Sequence, residues 1–242
     1  MVKIRKYISL FLLSGLLGLV SCSSGEEAPI PEGDGFLRLG FGLQVDIRTR
    51  AVNTDNFIII IREPGENGQQ KFRSVVSQLP DIVALRSGLY VLEALSSSSI
   101  PAAAFDAPFY SGTLPLTVIK DQYTELDNIT CTLQNMKVTV DYTDLLKEEF
   151  PDYSVSVTNG QKALEFAKGE NRAGYFAVAP LTVTFTGFRV DGEKTTYEFQ
   201  INDVAKARHH KITLDINYDY SASGLTRSGA STIVTGNVTT VK

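Results

Sequence analysis

From Leu37 to Ile47 every odd position is apolar: Leu37, Leu39, Phe41, Leu43, Val45 and Ile47. The even positions between them carry Arg38, Gly40, Gly42, Gln44 and Asp46. Successive side chains of an extended chain point to opposite faces, so this period of two calls for a strand with one buried and one wet face. A helix would spread the same residues around its circumference. The pattern recurs in "FIIII", "LYVLEAL", "MKVTVDY", "YSVSVT", "LTVTFTGF", "TYEFQI" and "KITLDINY". Turn chemistry separates these runs in "PGENG", "RSG", "TNGQ" and "VDGEK". Asn159-Gly160 reads as a type I′ hairpin turn, whose two central residues both take positive φ. One helix is expected at "TDLLKEEF", capped by Thr143 or Asp144, with Leu145, Leu146 and Phe150 turned inward. The fold class is all-β with one short helix.

An internal echo sets the number of bodies. Ile47 matches Tyr142, Phe57 matches Tyr153, Leu89 matches Leu181 and Ile129 matches Ile212, in preserved order. The offset drifts from about 96 to about 83 residues, as differences in loop length would produce. Two tandem antiparallel Greek-key β-sandwiches are therefore expected, each long enough to bury a core. They are assigned to residues 36–134 and 135–218, joined at Gln134-Asn135 where "TCTL" runs into "MKVTV". The polar tail at 219–242 is expected to be weakly ordered, with "STIVTGNVTTV" as material for an edge strand.

The N-terminus addresses location. Lys3, Arg5 and Lys6 precede an uncharged run from Ile8 to Val20. That run is about 13 residues long, whereas a bilayer span needs roughly 20, so it reads as an export signal. "LVSC", Leu19 to Cys22, resembles the lipobox of bacterial lipoproteins. The resemblance implies cleavage between Ser21 and Cys22, a signal peptide at 1–21, and acylation of Cys22. More than one acyl chain is needed for stable attachment, and a triply acylated cysteine meets that need. Residues 22–35 form a tether in which Glu26 and Glu27 resemble the surface-export signal of Bacteroidetes lipoproteins. The expected location is the outer membrane, lipid-anchored and facing outward.

Composition removes several classes of function. Cleavage would leave about 221 of 242 residues and move the formal charge from −4 to about −7, with no basic stripe for nucleic acid. With Cys22 acylated, Cys131 is the one thiol, so no intramolecular disulfide forms, and its alternating setting reads as buried. No hydrolase, phosphate-loop or dinucleotide motif is present, so no enzyme activity, cofactor or metal is expected. His209 and His210 are adjacent on a strand start and face opposite ways, which forbids a shared metal, and a surface turn is the expected home of at least one. "EGDG" at 32–35 has too few ligands for a calcium loop, Asn128 begins an incidental sequon, and Glu148-Glu149 reads as solvated charge.

Two stretches carry candidate contacts. "AAAFDAPFYSG" places Phe105, Phe109 and Tyr110 on an irregular segment, where they would stack on sugar rings or pack locally. "DIRTRAV" follows the leading alternating strand, so a trypsin-like cut between Arg50 and Ala51 would free Leu37 to Ile47. Loss of that strand would expose an apolar groove and an unpaired sheet edge for a strand of another subunit.

The lipobox "LVSC", the "TRA" at Thr49 to Ala51, "AAFDAPFYSG", "FAKGENRAGYF" and "HHKITLDIN" together resemble an uncharacterised Bacteroidetes surface lipoprotein family. More distantly, a lipidated precursor with a leading strand, an arginine site and tandem sandwiches resembles the fimbrillins of type V pili, with their transthyretin/fimbrillin-like domains. That resemblance implies polymerisation by strand exchange after an arginine-specific cut, and only Cys22 and Arg50 carry over by position. The expectation is a non-enzymatic surface lipoprotein in adhesion or a pilus, with the membrane and other pilus subunits as partners. The alternative is a surface glycan-binding lipoprotein that meets a host or glycan ligand through Phe105, Phe109 and Tyr110.

Overall fold

Alternating burial along nearly every strand builds the molecule. A computed structural model describes residues 32–46, 52–219 and 231–241. In the first half the strands are β1 (Asp34–Arg38), β2 (Leu43–Val45), β3 (Ile58–Arg62), β4 (Gln70–Val75), β5 (Ile82–Arg86) and β6 (Gly88–Leu95). They continue as β7 (Ala103–Phe105), β8 (Tyr110–Val118), β9 (Tyr123–Glu125) and β10 (Ile129–Leu133). The second half holds β11 (Met136–Tyr142), α1 (Asp144–Glu149), β12 (Asp152–Thr158), β13 (Ala163–Ala167) and β14 (Gly174–Phe176). It ends with β15 (Leu181–Phe188), β16 (Lys194–Ile201), β17 (His209–Asp219) and β18 (Ser231–Val241).

Four sheets form two sandwiches. The first pairs β5-β1-β9 with β2-β10-β8-β6-β3-β4, and the second pairs β18-β17-β11-β14-β7 with β13-β12-β15-β16. Each sandwich has its own core. Leu37, Ile59, Ile61, Leu92, Val118 and Ile129 lie in the first; Val138, Phe150, Val155, Phe166, Phe185 and Leu214 lie in the second. The repeat extends to topology. The order β4-β3-β6-β8 recurs as β13-β12-β15-β16, and β5-β1-β9 recurs as β14-β11-β17. The inner member of each trio is antiparallel to one neighbour and parallel to the other. Periodicity predicts which face of a strand is buried but not the direction of its neighbour, so the parallel pairs are invisible in the sequence.

The structure changes several local expectations. The leading strand is two strands: the alternation of burial continues through Leu39 and Phe41, but the chain passes from one sheet to the other between Arg38 and Leu43. Leu145 is exposed, while Leu146 and Phe150 are fully buried, because so short a helix presents only one narrow face to the core. Thr143 caps that helix, its Oγ1 accepting from Leu146 N at 3.3 Å. Asn159-Gly160 is not a type I′ turn, since only Gly160 has positive φ. Asn159 is buried instead, and its Oδ1 accepts from the backbone N–H of Gln161 and Lys162. Glu149 is not a free solvated charge; it pairs with Arg189 Nε at 3.0 Å and accepts from Tyr218 Oη at 3.1 Å. The tail contains an eleven-residue edge strand, β18, in continuous register with β17.

One short strand leaves its own half. β7 pairs with β14, so Ala103 packs in the second core although it lies in the first half of the chain. Asn135 and Asn159 hold this crossing. Asn135 Nδ2 donates to Ala107 O at 3.0 Å, and its Oδ1 accepts from Phe109 N at 3.2 Å. Asn159 Nδ2 donates to Ala102 O at 2.8 Å and to Ala177 O at 3.3 Å.

Candidate strand-exchange interface

β1 is the middle strand of its sheet. Asp34 to Arg38 pair antiparallel with Arg86 to Ile82, and Phe36 to Arg38 pair parallel with Tyr123 to Glu125. The chain then runs beside β10, with Leu43 to Val45 parallel to Ile129 to Cys131. Three hydrogen bonds from Gly42 to Asp46 hold the chain there. Gly42 N donates to Asn128 Oδ1 at 2.9 Å, Ile129 N to Gly42 O at 3.0 Å, and Asp46 N to Cys131 O at 3.0 Å. Asn128 is therefore a structural acceptor for the leading strand.

The two faces of this segment differ. Leu37 and Leu39 are core residues, with Phe41, Leu43 and Val45 packed against the same core. Full burial of such a side chain contributes about 1.5–3 kcal/mol, so the row is a substantial part of what closes the first sandwich. On the outer face Phe36 stacks on Tyr123 with centroids 5.2 Å apart, Arg38 lies 4.6 Å over the same ring, and Arg38 pairs with Glu125 at 3.0 Å. Removal of β1 would leave a slot flanked by β5 on one side and β9 on the other, each presenting an unpaired edge.

β18 is held differently. It pairs with β17 along one edge only, and Val234 is its buried anchor. Gly236 lets the Phe199 ring of β16 lie against the backbone; a Cβ there would meet Phe199 Cε1 at 2.5 Å. From Asn237 to Val241 every residue is exposed, and no charged residue or proline occurs from Ser231 to Val241. Natural edge strands are usually blunted by such residues.

Ser21, Cys22, Glu26, Glu27, Arg50 and Ala51 lie outside the described residues. Phe109 and Tyr110 are buried at 6% and 7% exposure, and Phe105 packs edge-on against Phe166 at 5.1 Å beneath the guanidinium of Arg172 at 4.5 Å. Their rings serve the crossing segment and form no exposed stacking platform. Neither histidine sits on a surface turn: both are on β17, and His210 is fully buried. Cys131 is buried in the first core, which pushes its thiol up to about 11 and leaves it a poor nucleophile at neutral pH. Sequence reasoning missed Asn135 and Asn159, because a polar residue gives no sign of burial until its backbone partners are known. Among the described residues no group of His, Cys, Asp and Glu could hold a metal, and no helix is long and apolar enough to cross a membrane.

Comparison with curated proteins returns no match. Among solved structures, the chain is similar to a fimbrial assembly protein from Parabacteroides distasonis, at 12% identity and a TM-score of 0.46, over 88% of this chain and 100% of the other. It is also similar to a fimbrilin from Porphyromonas gingivalis, at 10% identity and a TM-score of 0.44, over 86% and 96% of the two chains. Residues 33–240, spanning both sandwiches, match the family described as "Domain of unknown function (DUF4493)", and the chain belongs to that family.

Proposed function

We propose that the protein is a non-enzymatic, lipid-anchored component of the cell surface that acts in adhesion or as a pilus-like subunit, assembling by exchange of its leading strand. The observation that supports this reading is the place of β1 as the middle strand of β5-β1-β9, close to the start of the described chain. A cut between Arg50 and Ala51 would detach β1 and β2 from the rest of the chain and open a slot with hydrogen-bonding edges on both sides. β18 is suited to fill such a slot in a neighbour, being long, uncharged and bound along one edge. Cys22 would supply the anchor, and Glu26 and Glu27 the outward sorting.

Limited trypsin digestion of the full chain, followed by electrophoresis without boiling, tests the exchange. A ladder of heat-resistant multimers that is absent from Arg50→Gln supports it; cleavage after Arg50 that yields monomer alone overturns it. Labelled palmitate entering the wild type but not Cys22→Ser tests the anchor.

A further inference from the structure

The repeat within the chain exposes an inequality between its two bodies. The β6–β8 connection leaves the first body at the Gln134-Asn135 joint and enters the second, placing β7 on β14. It is seated between the β12–β13 hairpin, through Asn159, and the β14–β15 link, through Ala177. In the first body the equivalent place lies between the β3–β4 hairpin and the β5–β6 link, at the pole remote from the joint. A cleft of about 510 Å³ is found there, lined by Asp34, Glu63, Lys71, Arg86, Gly88 and Leu89. No segment of the described chain enters it in the way that residues 102–109 enter the second body.

The arm that would fill this cleft also has a counterpart. β6 and β8 correspond to β15 and β16, so the crossing segment corresponds to the β15–β16 hairpin at the opposite pole. That hairpin is tight, with Gly192 N donating to Arg189 O and Arg189 N to Glu193 O, both at 3.0 Å. Its tip is Val190, 89% exposed, with Phe188 at 39% behind it. Nothing in the turn calls for an apolar residue at its most solvated position. The cleft carries an apolar counterpart in Leu89, 50% exposed. The charges on both sides are already balanced, Lys71 pairing with Glu63 in the cleft and Glu193 with Arg189 in the hairpin, both at 2.7 Å, which leaves the apolar tip and Leu89 as the matching features.

We propose that the Arg189–Glu193 hairpin of one copy docks in the Asp34–Leu89 cleft of the next, repeating between chains the contact that joins the two bodies within a chain. This rests on the reading of the protein as an assembling subunit, and it names that subunit's end-to-end partner as a second copy. The cleft borders the β1 slot at Asp34 and Arg86, but the Val190–Leu89 cross-link needs no cut after Arg50, so the two are testable apart. The test is oxidative cross-linking, in cells making the full chain, of the double variant Val190→Cys with Leu89→Cys. Both positions are exposed, so folding is retained, which an unchanged melting temperature checks. Reductant-sensitive multimers of three or more subunits in the double variant, against at most dimers in either single variant, are expected. A double variant that goes no further than the singles overturns the docking. If it does so while the ladder of strand-exchanged multimers still forms, exchange stands and docking falls. If the disulfide multimers form without that ladder, docking stands and exchange falls.

Discussion

His210 Nδ1 lies 3.2 Å from Thr240 Oγ1, tying a fully buried imidazole of β17 to the exposed end of β18. Its Nε2 has no hydrogen-bond partner among the described residues, so the site accommodates the neutral ring and opposes a charged one. Burial, followed by the charge of Arg208, lowers the pKa of His210, with Asp203 opposing. Burial, then Lys137, Lys211 and His210, holds His209 down at about 4, with Asp141 opposing. Both folded values lie below the ordinary histidine value of about 6.5. The unfolded chain therefore binds protons first, and the stability these residues provide is complete above about pH 6.5 and lost as pH falls through the folded values. The melting temperature is expected to fall between pH 7 and pH 4, with lower protection factors, each taken relative to the intrinsic exchange rate at its own pH, at Asn237 to Val241. His210→Leu should flatten that dependence; equal protection factors in β18 at both pH values would refute it.

Asn135 is the polar hinge of the crossing. Asn135→Ala leaves Phe109 N and Ala107 O without their partner in a buried setting. Each buried unsatisfied group costs about 1–3 kcal/mol, so a loss of about 2–4 kcal/mol in urea unfolding is expected. A loss below about 0.5 kcal/mol would mean that water takes over both bonds.

The same segment shows what the sequence reveals and what it hides. Alternation at Leu37 to Ile47 points to half-buried extended chain, and the pairing of Phe57 with Tyr153 and of Leu89 with Leu181 to strands in equivalent places in the two sandwiches. The match of Ile129 with Ile212 does not hold, because Ile129 is on β10 whereas β17 takes the place of β9. These signals are local and repeat along the chain. "AAF" at 103–105 is three residues with no period, and its partner β14 lies far along the chain, so its membership of the second sheet is decided by packing alone. The burial of Asn135, Asn159 and His210 is likewise set by distant backbone and side-chain groups. In the leading strand, sequence fixes which side chains face inward, but not that β1 lies between two neighbours rather than at an edge.

Phe109→Ala and Tyr110→Ala are expected to destabilise the chain before they report on any ligand. Both rings are buried, and truncating a buried aromatic costs about 3–5 kcal/mol. Phe105→Ala should cost less, because its ring is partly covered and loses mainly the Phe166 and Arg172 contacts. Thermal unfolding of the three variants gives the ranking, and a neutral Phe109→Ala would show that the loop repacks.

Gly35 links the energetics of the leading strand to assembly. A Cβ at this position would lie 2.2 Å from Ile119 O, a backbone atom, so an alanine must push β1 away from the β8–β9 turn. Overpacking of this kind costs about 1–3 kcal/mol, and here the cost falls on β1 rather than on the second sandwich. Gly35→Ala is therefore expected to leave the second core's protection from amide exchange unchanged while raising exchange at Phe36 to Val45. If displacement of β1 limits strand exchange, the same variant forms trypsin-dependent multimers about tenfold faster than wild type, since each 1.4 kcal/mol is a factor of ten. Faster exchange in β1 with an unchanged rate of multimer formation would place the slow step after the strand has left, at entry of the incoming strand between β5 and β9.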